Sequence, residues 1–384
     1  MAEEQHSTLP AQPTEYDHAD EYRPEPPPPA EIPAWKDGST RVGIHTSIAG
    51  DISGALEIAH ALGANALQIF SQSPRMWAGE RDGARIQDAD AARFRERRKA
   101  LGLGPLVIHD NYLINLASLD RVLRARSMQE FHGELVRAVA LGADILVAHP
   151  GSGRGADVGS AVKAIADGIH QAARGLKLDG LMILLENTAG QGSSIGSRFE
   201  ELRAILDQCA DLSMGVCIDT AHLFAAGNDI RTDEGLERVL QRIDTTIGLE
   251  RVRVIHVNDS KTPLGSRVDR HEHIGKGHIG LEAFSRILNH PLLAGRAFIL
   301  ETPIDKLGDD RRDVAALWKL LGQNVPARGA RSKWHKPRAR HAPKKRATTR
   351  RAKAKPARKS NARHSGARKS AERMASTRGK KRRK

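Results

Sequence analysis

Met182-Ile-Leu-Leu-Glu186, an amphipathic stretch over 197–209 and then Gly215-Val-Cys-Ile-Asp219 form the segment from which the whole chain can be read. Two short apolar runs, each closing on a carboxylate, flank a stretch with helical spacing. That is the pattern of a βα unit feeding a parallel sheet buried on both faces. Working outward, the unit recurs: apolar runs at 42–45, 66–70, 106–109 and 145–149 precede it, and runs at 252–256 and 297–301 follow. Between them the periodicity predicts helices over 52–62, 88–101, 118–141, 158–175, 197–209, 232–243, 281–288 and 309–320. This strict alternation predicts an α/β chain of the (β/α)₈ TIM-barrel class, in which strand ends and βα loops converge on one face. A doubly wound open sheet is the alternative, with ligands gathered at one switch point instead of around a ring.

The formal net charge of the 384 residues is +15, but it is segregated. Residues 327–384 hold 25 Lys and Arg against one acid, Glu372, whereas residues 1–35 hold one Arg against eight acids. The remainder carries 35 basic and 37 acidic residues and is nearly neutral. Three regions follow: a disordered acidic, Pro-rich arm over 1–38, a barrel domain over 39–326 and a disordered Lys/Arg-rich arm over 327–384. Two cysteines, Cys209 and Cys217, make no disulfide framework, and the start of the chain lacks a signal-peptide pattern. No apolar run has the length of a membrane span. These features lead us to expect a soluble monomer in a reducing compartment.

Seven of the eight predicted strands end on a residue able to bind a metal or move a proton: His45, His109, His149, Glu186, Asp219, His256 and Glu301. The second, ending at Phe70, does not. One such residue is ordinarily a turn or cap. Seven at the same structural position would make a ring of carboxylates and imidazoles that is electrostatically costly without cations. The loops add Asp219-Thr-Ala-His222 and Asp269-Arg270-His271. With His45 set aside, five histidines and four carboxylates remain, ample for two or three ions. Imidazole and carboxylate without thiolate suit Zn, Mn or Fe. Multinuclear sites of this kind serve in-line displacement at phosphorus, but sugar isomerisation over a metal pair uses the same residue types.

Six motifs narrow that choice. His109-Asp-Asn-Tyr-Leu-Ile-Asn-Leu116, His149-Pro-Gly-Ser152, Glu186-Asn-Thr-Ala-Gly-Gln-Gly-Ser193, Cys217-Ile-Asp-Thr-Ala-His222, His256-Val-Asn-Asp259 and Gly265-Ser-Arg-Val-Asp-Arg-His271 occur in that order. Together they closely resemble endonuclease IV, the zinc-dependent apurinic/apyrimidinic endonuclease family, over about 41–321. The resemblance implies three zinc ions per chain. His109 and His149 would hold the first, with Glu186 bridging to the second, which Asp219, His256 and Glu301 would complete; His222, Asp269 and His271 would hold the third. It further implies that a metal-bridging hydroxide attacks the phosphate 5′ to an abasic site, with Glu186 as the catalytic carboxylate. The products would be a 3′-hydroxyl and a 5′-deoxyribose phosphate, and trimming of blocked 3′ ends a companion activity. The partner would be double-stranded DNA, opened by Arg75, Tyr112 and Leu113 pushed into the duplex. Read without the resemblance, Arg75 is a surface charge and Tyr112 and Leu113 ordinary packing. His45 matches a family histidine near the cluster and is expected to support the ligands from behind.

Two positions depart from the family pattern. Ala221 stands where many members carry Cys, and Lys276 where an acid is common; neither is an expected ligand. The cationic arm lies outside the resemblance and reads as a sequence-independent DNA tether, with a targeting signal as the alternative. A cytoplasmic, nucleoid-associated protein is expected, or a nuclear one in a eukaryote. A sugar isomerase on a related barrel and a non-catalytic DNA-binding protein built on a retired enzyme are the competing functions. An isomerase would have no use for the wedge residues or a polycationic arm, and a retired site would be free to lose its ligands.

Overall fold

The computed structural model describes residues 40–77, 86–178 and 180–323, so the two expected arms lie outside the described residues. Strands β1 (Arg41–His45), β2 (Ala66–Phe70), β3 (Leu106–His109), β4 (Ile145–Ala148), β5 (Met182–Glu186), β6 (Met214–Asp219) and β7 (Val252–His256) follow one another along the chain. A hairpin of β8 (Asp259–Ser260) and β9 (His271–Glu272) then precedes the last barrel strand, β10 (Ala297–Leu300). The eight long strands are parallel and close in the order β1-β10-β7-β6-β5-β4-β3-β2. The β1–β10 pairing seals the ring and rules out the open sheet. Gly43 permits the seal, since a Cβ there would stand 2.4 Å from Ile299 Cδ1 and 3.0 Å from the Ala66 backbone.

Helices α1 (Ile52–Ala61), α2 (Asp88–Ala100), α3 (Arg121–Leu141), α4 (Val158–Ala173), α5 (Phe199–Gln208), α6 (Thr220–Ala225), α7 (Asp233–Thr246), α8 (Leu281–Leu288) and α9 (Asp309–Leu320) occupy the connections. The predicted start of α3 at 118 moves to Arg121 because the Asp120 carboxylate caps the helix, accepting the N–H groups of Val122 and Leu123. The helix ends at Gly142, whose φ of 66° suits glycine. Asp157 and Thr232 cap α4 and α7 in the same way. The six-residue α6 and the β8–β9 hairpin were not predicted. No helix among the described residues is long and apolar enough to cross a membrane.

Strand period 2 sorts the side chains into two apolar groups. Outward-facing residues such as Val42, Leu67, Ile108 and Leu185 join the helices in the larger core. Ala66, Val107, Ile145, Val147, Leu184, Cys217, Val254, Ala297 and Ile299 fill the barrel interior. The next inward position along each strand, two residues further on, is the one that matters for chemistry. Val107 leads to His109, Val147 to His149, Leu184 to Glu186, Cys217 to Asp219, Val254 to His256 and Ile299 to Glu301. His149 and Glu301 stand one residue beyond β4 and β10, not inside them as predicted.

Candidate metal centre

The nine expected ligands meet at the C-terminal mouth of the barrel. The ligand atoms of His109, His149 and Glu186 lie within 4.8 Å of one another; so do those of Glu186, Asp219, His256 and Glu301, and those of Asp219, His222 and His271. Glu186 joins the first two groups through its two oxygens. Oε2 is 3.3 Å from His109 Nε2 and 3.6 Å from His149 Nε2, and Oε1 is 3.2 Å from Nδ1 of His256 and of His222. Asp219 likewise belongs to two groups. Asp269, on the loop before β9, places its oxygens 3.1 Å from His222 Nε2 and 3.4 Å from His271 Nε2.

The imidazoles are aimed by their other nitrogen. Nδ1 of His109 lies 2.9 Å from the Asp110 carbonyl, Nδ1 of His222 lies 2.9 Å from that of Asn187, and Nδ1 of His271 lies 3.3 Å from that of Glu301. Each Nδ1 must carry the hydrogen to donate to a carbonyl, which leaves the Nε2 lone pair facing the carboxylates. His256 is set the opposite way round: its Nε2 donates to Gln68 Oε1 at 2.8 Å, so Nδ1 faces Glu186 and Glu301. A metal fits this donor set. Glu186 Oε2, His222 Nε2 and His271 Nε2 are all buried without a hydrogen-bond partner, a costly state for polar atoms unless they bind a cation. Oxygen and imidazole donors in groups of three and four suit a divalent metal such as zinc, manganese or iron.

Without a cation, protons supply the positive charge. Burial alone would raise the Glu186 carboxyl, yet the charges of the facing His149 and His256, with His109 and His222 close by, hold it well below the usual carboxylate range. Burial works against charge on His109, but Glu186 and Glu301 outweigh it and lift its pKa to about 10. The same balance raises His222 and His256. His149 is lowered, because burial, joined by the neighbouring His109 and His222, outweighs the pull of Glu186. Asp269 falls to about 2 because His222, His271 and His149 overcome its desolvation.

Three residues central to this geometry escaped the strand-end reading. Gln68, two residues before the end of β2, donates from Nε2 to Glu301 Oε1 at 2.5 Å and lies 2.9 Å from His45 Nδ1, besides fixing His256. Asn258 donates to Asp219 Oδ2 at 2.6 Å and accepts the Glu301 N–H at 2.8 Å. Asn187 accepts the Asp219 N–H at 2.6 Å. Their signal was position: Gln68 takes the inward register of β2, and Asn187 and Asn258 stand one and two residues past the ligands Glu186 and His256. His45, 3.4 Å from Glu301 Oε1, stands behind the cluster and in none of the three groups. Phe70, the exception among predicted strand ends, packs 5.6 Å from His109 and 5.2 Å from Tyr112, ring centre to ring centre.

The expected wedge residues stand at the rim. Arg75 and Tyr112 are exposed and Leu113 is half-buried, and Arg75 is among the charges felt by the Tyr112 phenol. Met76, Leu264, Val268, Ile304 and Leu307, also in loops that follow barrel strands, are exposed as well. A polar mouth is thus ringed by apolar side chains. Beside His149 a cavity of about 290 Å³ opens between Asn111, Tyr112, Asn115, Ser152 and Thr188. Asp259 orders the loop over 275–280 by accepting the N–H groups of Gly275, Gly277, Ile279 and Gly280. Gly277 is required there, because a Cβ would stand 2.4 Å from the Ser260 carbonyl oxygen. Of the departing positions, Lys276 is exposed on this loop and Ala221 is buried beside His222.

Comparison with known proteins identifies relatives of the whole barrel. A family model described as Xylose isomerase-like TIM barrel matches residues 56–321. A protein of Solibacter usitatus named Probable endonuclease 4 is 52% identical over 290 residues, 74% of this chain and 98% of that one. A Halothermothrix orenii protein of the same name is 43% identical over 264 residues, 68% of this chain and 93% of its own length. The crystal structure of endonuclease IV from Thermus thermophilus superposes with a TM-score of 0.65 at 40% identity, covering 73% of this chain and 99% of that one.

Proposed function

The chain belongs to the endonuclease IV family, and from that membership we propose that it is a DNA-repair endonuclease that hydrolyses the phosphodiester 5′ to abasic sites. The products are a 3′-hydroxyl and a 5′-deoxyribose phosphate, and the same site trims blocked 3′ ends. The observation that carries the reading is the cluster of nine buried or half-buried ligands at the barrel mouth, flanked by Arg75 and Tyr112.

Three zinc ions fit the donor set, held by His109, His149 and Glu186, by Glu186, Asp219, His256 and Glu301, and by His222, Asp269 and His271. Zinc in such sites polarises phosphoryl oxygens, lowers the pKa of water toward neutrality and stabilises a leaving oxygen. The chain's own part is orientation. Glu186 is the catalytic carboxylate because its two oxygens face two of the groups at once. Asp219 and Asp269 close the third group around His222 and His271. Asn258 and Gln68 hold Asp219 and Glu301 in place. The apolar interior directly below keeps water away from one side of the cluster, which strengthens electrostatic interactions within it.

Recognition follows from the rim. An abasic site lacks the stacking and pairing that resist extrusion, so Arg75, Tyr112 and Leu113 would enter the duplex there at low cost. The segment 327–384, with its excess of Lys and Arg, would bind phosphates without regard to sequence. The sugar isomerase reading has no role for these features. The test is a duplex bearing one abasic site, incubated with the protein with and without a strong chelator. Chelator-sensitive incision 5′ to the lesion is expected; selective binding with no incision in any metal would overturn the assignment. A 3′-blocked nick in the same assay tests trimming.

A further inference from the structure

Helix α3 carries a stripe of polar side chains on its inward face. Ser127, Glu130, Glu134 and Arg137 are exposed by only 0%, 4%, 1% and 2%, and steps of three, four and three residues align them on one side of the helix. The stripe reaches the loops after β2 and β3. Glu134 accepts from the Ser71 hydroxyl and Glu130 from the Gln72 side-chain amide. Arg137 donates to Ser71 Oγ at 2.6 Å and to Glu130 Oε1 at 3.0 Å, and lies 3.1 Å from Glu134 Oε1. Ser127 Oγ accepts the Asn115 N–H at 3.0 Å. Asn111 ties one loop to the other by donating to the Met76 carbonyl at 2.7 Å. From the same helix, the Arg126 guanidinium lies 4.6 Å from the centre of the Trp77 ring.

The β2 loop is therefore fastened at Ser71, Gln72, Met76 and Trp77, with exposed Arg75 between these ties. The β3 loop, fastened at Asn111 and Asn115, carries Tyr112 and Leu113. Replacing a buried ion-pair network by apolar residues of similar volume is often neutral or stabilising, so stability alone does not account for this stripe, whose bonds end on the two loops. We infer that Ser127, Glu130, Glu134 and Arg137 are positioning residues that hold the two lesion-reading loops in register and so set the discrimination between abasic and intact duplex. This rests on the endonuclease reading above.

The experiment compares wild type with Glu134→Gln, Arg137→Met, Arg137→Lys and the loop-side variant Gln72→Ala. The readings are affinity for abasic and intact duplex, KM against saturating rate, zinc content, and fluorescence of 2-aminopurine placed opposite the lesion. The abasic-to-intact affinity ratio is expected to fall about tenfold in Glu134→Gln and Arg137→Met, since loops no longer held in advance must be ordered when the lesion is engaged. KM rises in parallel and the 2-aminopurine signal weakens, with the saturating rate and zinc content held. Arg137→Lys recovers part of the ratio. Gln72→Ala, cut from the loop side, is expected to lower the ratio even if the helix variants fail to fold. An unchanged ratio in a folded Glu134→Gln or Gln72→Ala overturns the inference, as does loss of zinc or of saturating rate in step with affinity. The ratio is read from binding alone, so wild-type binding without cutting would end the endonuclease reading by a separate result.

Discussion

Two layers of the barrel interior, two residues apart on the same strands, show opposite physics. The lower layer, with Val107, Val147, Leu184, Cys217, Val254 and Ile299, is apolar and fully buried. The upper layer, with His109, His149, Glu186, Asp219, His256 and Glu301, is equally enclosed for the most part, yet it is charged, and Glu186 Oε2 within it is buried without a hydrogen-bond partner. The lower layer is complete in itself and serves stability; the upper is complete only with cations and serves chemistry. Burial within one strand therefore does not distinguish a packing residue from a working one. What distinguishes them is whether their polar atoms are satisfied.

The comparison is broken most sharply by exchanging the roles of adjacent layers. Glu186→Gln should lower the saturating rate of abasic-site incision by more than about 10³-fold, beyond what loss of a single stabilising donor costs. Leu184→Ala, one layer down, should cost about 2–5 kcal/mol of stability and leave the saturating rate intact where the protein is folded. Denaturant melts and single-turnover rates check both. A slowed Leu184→Ala with unchanged stability would erase the distinction between layers.

A smaller effect is expected at Gln68. Gln68→Ala should weaken metal binding by about 10–100-fold, as loss of a ligand's hydrogen-bond partner commonly does, while the melt moves little. Competition with a chromophoric chelator measures it, and unaltered affinity would show that His256 needs no orientation.

Protons give the next test. In the metal-free protein the pKa of His109, raised from 6.5 to about 10, keeps the imidazole protonated at neutral pH, whereas a ligand must offer its lone pair. Zinc binding should therefore release protons, and apparent affinity should rise with pH. Calorimetry in buffers of different ionisation enthalpy reads the release; none at pH 7 would contradict the charge assignment. Because the folded pKa is the higher one, the stabilisation from His109 is fully present below about 6.5 and lost as pH rises through about 10. The metal-free melt should fall across that window and the zinc-loaded melt should not follow it.

The smallest effect on the chemical step is expected from removing residues 327–384. The saturating rate should hold, while the log–log salt dependence of binding flattens by about 0.9 for each phosphate that the arm would have neutralised. An unchanged slope would remove the tethering role.

Much of the upper layer was legible because a ligand at a strand end falls where an apolar run meets a polar loop, as at Glu186, Asp219 and His256. Gln68 was not, because it lies inside the run 66–70 and only the inward register of β2, not the end of the run, marks it. Asn187 and Asn258 carry no charge to draw notice. The 220–225 helix is too short for periodicity to register, and strands of two residues leave no pattern. The α3 stripe was hidden by its own chemistry: charged residues at helical spacing ordinarily form a solvated face, whereas Glu130, Glu134 and Arg137 are buried and reach the β2 loop.

The carbonyl tethers of His109, His222 and His271 have an evolutionary consequence. Their acceptors belong to the main chain, and a main-chain oxygen survives every substitution at Asp110, Asn187 or Glu301 that spares the path of the backbone. The aim of three imidazoles is thus insured against point mutation by the barrel itself. His256 alone of these four depends on a side chain, Gln68, and an engineer seeking to retune the centre without touching a ligand has a ready handle there.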